Sequence, residues 1–292
     1  MSSVFCKKAG DFIKSESESL KRLGLEIPRI YNNKEVINII REQRIEKIIS
    51  EIKRRGVVST DELTKELHVS RSTIHRDLCD LEEANELKCI RGGAVALTPK
   101  TSYEPSFDVR KDMFLDEKER IAAAALSLVQ ENETLILDSG TTVYEAAKAL
   151  AGFKKLYIAT NDLKSAMALS VNHDISLIVL GGTLRNSYYS LNGIFTENII
   201  TQIHADKVFL GVDAVDLDIG FMNYSVNEIK AKRLMIQASH QVIVLCDHSK
   251  FESIAFANIC HFSDVDMIIT GKEIDKRILR RLEEKEIKVM VV

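Results

Sequence analysis

The chain has 292 residues, which suggests about two domains, and 45% of them are hydrophobic, which allows a sizeable core. Lysines and arginines number 40 against 43 aspartates and glutamates, so the formal net charge of −3 gives no sign of an overall basic protein. No apolar run approaches the roughly 20 residues of a membrane span, and the N-terminus lacks a signal peptide's apolar core. We therefore expect a cytoplasmic protein without membrane association.

The cysteines form no CxxC pair, and they are Cys6, Cys79, Cys89, Cys246 and Cys260. This spacing predicts reduced thiols rather than a disulfide framework or a zinc site. We accordingly expect neither a metal ion nor a cofactor.

Residues 1–35 are polar and mixed, and they include a charged, low-complexity stretch over 15–19. A short helix is conceivable from Phe12 to Leu25, ended before Pro28. We predict a weakly ordered extension to which the sequence assigns no function.

Two helices are predicted next. The first covers Arg44 to Arg54, where isoleucines recur at helical spacing. The second begins at a capping box, in which the Ser59 hydroxyl accepts from the amide of Glu62 and the Glu62 side chain reaches back. Leu63 and Leu67 give this short helix its buried face.

A third predicted helix follows a tight turn and begins at Ser70, a good N-cap residue. An apolar stripe recurs at helical spacing and consists of Ile74, Leu78 and Leu81. Polar residues fall off that stripe near the N-terminal end, namely Arg71, Ser72, Thr73, His75 and Arg76. In a helix-turn-helix this end enters the major groove. We expect Asp77, Glu82 and Glu83 to be solvated or to orient Arg76.

A short β pattern from Leu87 to Leu97 is broken by Gly92-Gly93, which indicates a hairpin and hence a wing. We therefore predict a winged helix-turn-helix domain over 36–98. Its candidate DNA-binding residues are Ser70, Arg71, Ser72, Thr73, His75, Arg76, Lys88 and Arg91. The alternative is a small helical hairpin used for packing or for protein contacts.

An α/β domain is predicted over 116–292, after a linker over 99–115 that contains prolines among polar residues. Its first helix begins near Asp116 and runs to Val129. Short apolar strands are predicted at 134–137, 156–159, 175–180, 207–210, 241–245, 267–270 and 287–292. Short apolar strands that alternate with helices imply a mostly parallel sheet buried on both faces.

Glycine and polar residues repeatedly follow these strands, at the edge where open α/β sheets bind ligands. The run from Asp138 to Thr142 is a candidate anion cradle, because Gly140 permits close backbone approach and a helix N-terminus favours negative charge. Lys250, which follows another strand, adds positive charge. The alternative is a structural strand-to-helix turn.

Together these motifs resemble the DeoR family of transcriptional repressors, from about Arg41 to Val292. In the first domain the resemblance rests on the helix segment 73–78 and on Gly92-Gly93-Ala94. In the second domain it rests on Glu117-Lys118, Asp138 to Thr142, Thr160-Asn161, Gly181-Gly182 with Arg185, Gly211-Val212-Asp213, Glu228 with Lys232, and Asp247 with Lys250-Phe251. The chain departs from the family at His75, Cys89 and Arg91, where arginine, arginine and histidine are typical, so we expect an altered operator sequence.

The resemblance implies a winged helix that binds double-stranded operator DNA. It also implies a C-terminal α/β domain similar to ribose-5-phosphate isomerase and the coenzyme A transferases, which senses a phosphorylated sugar and then releases the operator of a sugar-catabolism operon. The expected effector-binding residues are Asp138, Ser139, Gly140, Thr141, Thr142, Asn161, Gly181, Gly182, Arg185, Asp213, Glu228 and Lys250. We expect a homo-oligomer built through this second domain.

Two other functions stay open at this point. One is a sugar-phosphate isomerase-like enzyme with a fused DNA-binding domain, in which the acid–base set would be Asp138, Asp213, Glu228 and Lys250. A fold does not confer a function, however, and the fused winged helix favours sensing over catalysis. The other is an architectural DNA binder, which leaves the polar residues at the strand ends unexplained.

Overall fold

The described residues of this computed structural model are 41–84, 86–90, 92–96 and 104–292, and the side chains of 53–55 are not among them. The predicted N-terminal extension and its helix lie outside these ranges, as does the wing residue Arg91. Among the described helices, none combines the length and apolarity needed to cross a bilayer.

The first domain is a winged helix-turn-helix. Its helices are α1 (Arg41–Arg55), α2 (Thr60–Leu67) and α3 (Arg71–Glu83), and its strands are β1 (Val57–Ser59), β2 (Leu87–Ile90) and β3 (Gly93–Ala96). The strands form an antiparallel sheet in the order β1-β3-β2. The predicted hairpin turns at Gly92, whose φ of +89° is strained for other residues.

Both predicted N-caps exist, but one differs in detail. The Ser70 hydroxyl accepts from the Thr73 amide at 3.2 Å, as expected for the third helix. The Ser59 hydroxyl accepts from the amide of Asp61 at 3.2 Å, so the predicted Ser59–Glu62 partner was wrong by one residue. The apolar residues on the inner faces of the three helices are buried, namely Ile48, Ile52, Leu63, Leu67, Ile74, Leu78 and Leu81.

Asp77 is expected from the sequence to be solvated or to orient Arg76, but the structure buries it against Arg44 instead. The residue is only 1% exposed, because it lies on the same face of α3 as Ile74 and Leu78. Its carboxylate accepts from the Arg44 guanidinium, with Nη2 at 3.1 Å from Oδ1, and this pair joins α1 to α3. Glu82 is also used structurally, since its carboxylate accepts from the Cys89 amide of the wing at 2.8 Å.

The second domain is built on a seven-stranded sheet, whose strands lie in the order Val289–Val291, Met267–Thr270, Ser239–Leu245, Ala205–Gly211, Thr134–Leu137, Leu156–Thr160 and Ile175–Val179. Every neighbouring pair in it is parallel, which confirms the predicted α/β class. The strands are β4 (Thr134–Leu137), β5 (Leu156–Thr160), β6 (Ile175–Val179), β9 (Ala205–Gly211), β12 (Ser239–Leu245), β14 (Met267–Thr270) and β15 (Val289–Val291).

Helices cover both faces of this sheet. They are α4 (Phe107–Arg110), α5 (Leu115–Leu126), α6 (Thr141–Leu150), α7 (Leu163–Leu169), α8 (Ile194–Ile200), α9 (Val226–Gln237) and α10 (Lys276–Glu284). Alternate strand residues point to opposite faces. Leu135 and Phe209 therefore pack with α5 and α6, whereas Ile136 and Val208 pack with α8, α9 and α10.

Several short antiparallel strands were not predicted. β7 (Thr183–Arg185) pairs with β8 (Ser190–Asn192), and a small sheet has the order β10 (Ala214–Asp216), β11 (Gly220–Asn223), β13 (Ala257–Cys260). They follow the carboxyl ends of β6, β9 and β12 in the chain. Extra polar side chains are thus brought to the edge where the sequence places its candidate ligand site.

The second half of the predicted linker over 99–115 is docked on the sensor domain. Within it, α4 is anchored by Phe107, which is 2% exposed and makes edge-on ring contacts at 5.5 Å with Tyr144 and Tyr189. The Phe107 amide also donates to the carbonyl of Ser187 at 2.9 Å. The buried ring of Phe107 thus helps to fix a segment whose prolines and polar residues are typical of a linker.

Candidate functional site

A cavity of about 490 Å³, counted with its mouth, lies at the carboxyl ends of β4, β9 and β12. Open parallel sheets bind ligands at this edge. Its walls come from the strand ends, from the unpredicted short strands and from the segment around α4. The lining residues are Glu104, Arg110, Ser139, Gly140, Thr141, Thr142, Val143, Tyr188, Ser190, Gly211, Val212, Asp213, Asn223, Glu228, Lys232, Leu245 and Lys250.

One wall is the turn between β4 and α6. Gly140 is the N-cap of α6, and its φ of +145° lies in a region that favours glycine. Thr141 and Thr142 form the first turn of the helix, where backbone amides have no partner within the helix. Hydroxyl groups, amides and the helix dipole can together bind an anionic group here.

A buried ion pair between Asp138 and Lys232 lies at the start of this turn. Asp138 has no exposed surface, and its carboxylate contacts the ammonium of Lys232, which is 2% exposed. The same carboxylate accepts from the Gly211 amide at 3.0 Å, and Lys232 donates to the Gly211 carbonyl at 2.9 Å. Burial lowers the pKa of Lys232, but attraction to Asp138 and Glu228 outweighs it and raises that pKa, so the lysine keeps its charge.

Another part of the lining belongs to a cluster in which three carboxylates share two guanidinium groups. Arg110 contacts Glu104 at 2.8 Å and Asp213 at 2.9 Å. Arg185 contacts Glu104 at 2.6 Å and Glu228 at 3.2 Å. The pKa of Glu104 is raised, mainly by burial. Attraction to Arg110 lowers this pKa, and repulsion from Asp213 raises it further.

Glu228 is held as an ionised acceptor facing the cavity. It accepts from the Ser190 hydroxyl at 2.7 Å and from the Asn223 amide group at 2.7 Å. Burial alone would raise the pKa of Glu228, but Lys232 and these hydrogen bonds outweigh it and lower that pKa. Carboxylate and amide groups in this arrangement can hydrogen-bond to ligand hydroxyls.

The structure brings many of the predicted effector-binding residues to this cavity, namely Ser139, Gly140, Thr141, Thr142, Asp213, Glu228 and Lys250. The others lie outside its lining, namely Asp138, Asn161, Gly181, Gly182 and Arg185. Asn161 is 1% exposed and donates to the Leu191 carbonyl at 3.3 Å. At Gly182 a Cβ atom would lie 2.2 Å from the Thr196 hydroxyl oxygen, so this glycine is needed for packing.

Sequence reasoning missed some polar lining residues, namely Glu104, Arg110, Tyr188, Ser190, Asn223 and Lys232. Lys232 was noted for the resemblance but not assigned to the site. Ser190 and Asn223 lie on short strands that carry no apolar run. Glu104 and Arg110 flank Phe107, and the aromatic residues of this otherwise polar segment were the available signal that it docks.

A second polar group lies beside the cavity. Lys118 donates to the Arg110 carbonyl at 2.5 Å, and burial lowers its pKa to about 8, helped by repulsion from Lys250. Ligand atoms of Glu117, Asp247 and His248 lie within 4.8 Å of one another. Both Glu117 oxygens already accept from His248, each at 2.7 Å, so these contacts serve packing; the expectation of no metal stays a prediction.

The Glu117–His248 pair predicts a pH-dependent stability. The hydrogen bond to Glu117 raises the pKa of His248 above its ordinary value of 6.5. Because the folded-state pKa is raised, the protonated histidine stabilises the fold at pH values below its ordinary pKa. This stabilisation is lost as the pH rises through the folded-state pKa. We expect urea unfolding to show wild type more stable than His248→Asn at about pH 5.5, with a smaller difference at about pH 9. An equal difference at both values would contradict the charged pair.

The candidate DNA-binding residues form an exposed surface on the winged helix. Ser70, Arg71, Ser72, His75 and Arg76 are exposed, and Thr73 is half-buried, all on the first turns of α3. Lys88 is exposed on β2 of the wing. The Ser70 hydroxyl lies 2.8 Å from those of Ser72 and Thr73, so its capping role fixes the start of the helix.

A winged helix-turn-helix joined to an α/β domain with a polar cavity at the carboxyl ends of its strands defines a DNA-binding transcriptional regulator with its own sensor. Two family models match the chain, the DeoR-like helix-turn-helix domain over 44–100 and the DeoR C terminal sensor domain over 114–272. The chain belongs to the DeoR family, as its motifs had indicated.

Relatives support this assignment along most of the chain. It is 33% identical over 249 residues to the HTH-type transcriptional regulator GolR of Listeria innocua, covering 85% of this chain and 98% of the relative. It is 34% identical over 248 residues to the glycerol-3-phosphate regulon repressor of Haemophilus influenzae, covering 85% and 96%. A solved structure, ribose 5 phosphate isomerase A from Neisseria gonorrhoeae, is similar over 47% of this chain and 54% of that one, with 22% identity and a TM-score of 0.35.

Proposed function

We propose that this regulator is a repressor of a sugar-catabolism operon and that a phosphorylated sugar, or a related sugar-derived anion, releases it from its operator. The observation that carries the proposal is a cavity lined by the Ser139–Thr142 turn, by Lys250 and by hydrogen-bonded carboxylates. The Haemophilus relative, named for a glycerol-3-phosphate regulon, supports a phosphorylated polyol as the ligand class.

The ligand's phosphate would lie against the amides and hydroxyls of residues 139–142, with Lys250 pairing its charge. Glu228 would accept hydrogen bonds from the ligand hydroxyls, and Asn223 would donate to them. Asp213 would be a further acceptor. Asp138, Arg185 and the glycines at 181 and 182 would position these walls rather than contact the ligand. Because carboxylates face the remainder of the cavity, a second phosphate would be repelled.

The test begins with an operator selected from a random-sequence duplex library with the full chain. Sugar phosphates, including glycerol 3-phosphate, are then compared with their unphosphorylated counterparts by calorimetry and by operator release. We expect only the phosphorylated member of each pair to bind measurably. Equal affinities for both members would overturn the proposed anion site.

Variants of the turn should separate ligand response from DNA binding. We expect Lys250→Ala and Thr141→Val each to weaken sugar-phosphate affinity about tenfold or more, because a hydrogen bond to a charged group contributes roughly 1.5–3 kcal/mol. Operator affinity without ligand should stay at the wild-type level. Lys154→Ala, an exposed lysine in the loop after α6, is the matched control and should change neither quantity. An undiminished response in Lys250→Ala would make the turn structural.

We also propose that the protein is a homo-oligomer. One recognition helix contacts few base pairs, and two-fold assembly lets a repressor bind half-sites about 34–36 Å apart, or a multiple of that distance. Adjacent apolar side chains of Ile194 and Phe195 on α8, 59% and 69% exposed, are available for such contacts. Sedimentation should give a dimer or tetramer at micromolar concentration, and a monomer both free and on DNA would refute this.

The enzyme alternative has no specific observation in its favour. The similar proteins reported above at about 33% identity are named as regulators. The Asp138 carboxylate is paired with Lys232, and those of Asp213 and Glu228 are paired with arginines. Incubation of the full chain with pentose and hexose phosphates should therefore yield no isomer.

A further inference from the structure

Glu104 lies where the DNA-binding domain is connected to the sensor domain. Strand β3 of the wing ends at Ala96, and Glu104 is the first described residue after it. With so few residues between them, the two Cα atoms can be at most roughly 29 Å apart. The position of Glu104 therefore limits how far the end of the wing can lie from the sensor domain.

The Glu104 carboxylate is inserted into the cavity wall as a bridge between two arginines. Its side chain is 4% exposed, and its two oxygens contact Arg110 and Arg185 respectively. The Tyr188 hydroxyl also donates to the Glu104 carbonyl at 2.7 Å, and the Arg185 guanidinium lies 3.7 Å from the centroid of the Tyr188 ring. Glu104 is thus held to the sensor domain by Arg110, Arg185 and Tyr188, and two of these residues, Arg110 and Tyr188, line the ligand cavity.

Arg110 can exchange the Glu104 carboxylate for a phosphate group of a bound ligand. A guanidinium binds carboxylate and phosphate oxygens with the same fork of donors. The Nε atom of Arg110 is buried and has no hydrogen-bond partner among the described residues. Arg110 and Lys250 line the same cavity, so a dianion held beside Lys250 would attract Arg110. Glu104 competes poorly, because burial and neighbouring carboxylates disfavour its charged form.

We propose that Glu104 is an internal carboxylate that holds Arg110 in the ligand-free repressor, and that a bound phosphorylated effector takes Arg110 from it and so loosens the connection to the winged helix. This coupling rests on the proposed function. It makes Glu104 a positioning residue, because it links the state of the cavity to the DNA-binding domain without contacting DNA.

Glu104→Gln tests the coupling, since it keeps the shape of the side chain and removes the charge. The probe is inorganic phosphate, which is the anionic group common to all phosphorylated effectors, titrated into the full chain by calorimetry. We expect the variant to bind phosphate about tenfold more tightly and the selected operator about tenfold more weakly without phosphate, since coupling between two sites is reciprocal. Glu133→Gln removes a carboxylate paired with Lys207 at the opposite edge of the sheet and should change neither affinity.

Opposite shifts in the two affinities are the result that supports the proposal. If both affinities fall together, the variant has only damaged the fold, and the coupling is overturned. If neither changes while wild type still responds to sugar phosphates, the coupling fails and the proposed function stands. If wild type binds neither phosphate nor any sugar phosphate, the proposed function fails and the coupling fails with it.

Discussion

Replacing Lys232 with methionine is expected to lower the free energy of unfolding by about 3–5 kcal/mol, because it leaves a buried carboxylate without its cation. Asp138 has no exposed surface, and the removed ammonium also donates to the Gly211 carbonyl. Lys232→Met retains most of the side chain's volume, so the loss reports charge rather than a cavity. Urea denaturation at neutral pH measures the change.

Lys230→Met is the matched control for this prediction. Lys230 lies on the same helix, α9, and pairs with Glu197, but its side chain is 68% exposed, so solvent screens the pair and little stability should be lost. The double variant Lys232→Met with Asp138→Asn should recover part of the loss, because it no longer buries an unpaired charge. Equal losses in the two lysine variants would contradict the buried-pair account.

Sequence patterns predict the framework of the sensor domain well, for a physical reason. Buried parallel strands are short apolar runs that end in glycine or polar residues, and these boundaries are visible in one dimension. The strands at 134–137 and 267–270 match prediction to the residue, and the loop after the first of them lines the cavity. The winged helix can be predicted equally well, since the Ser70 N-cap and the apolar stripe after it define α3 locally.

Ion pairs between residues that are far apart in the sequence cannot be predicted from local sequence patterns. Asp77 has the same local signature as a solvated helix carboxylate, and only the position of Arg44, 33 residues earlier, makes it a buried link. Glu104 and Arg110 stand in a segment with linker composition, while their partners come from β10 and β7 regions far along the chain. Ser190 and Asn223 belong to strands of three and four residues, too short to show a period.

Arg76→Ala is expected to weaken operator binding roughly 5- to 150-fold, which corresponds to the loss of about 1–3 kcal/mol from one arginine contact. Arg76 is exposed near the N-terminal end of α3, while Ile74 and Leu78 hold the opposite face of that helix in the core. If the arginine contacts a phosphate, the slope of log affinity against log salt should also fall by about 1. His75→Ala should change sequence preference more than affinity, because His75 is a departure from the family pattern.

Gel-shift titration on the selected operator and on a scrambled duplex separates these outcomes. Lys47→Ala removes one exposed positive charge from α1, outside the candidate DNA-binding residues, and should leave operator affinity close to wild type. A uniform loss on both duplexes for Arg76→Ala indicates a phosphate contact, whereas a loss confined to the operator indicates a base contact. Unchanged operator affinity in Arg76→Ala would remove α3 as the recognition helix, because a basic residue at this position would then lie outside the DNA interface.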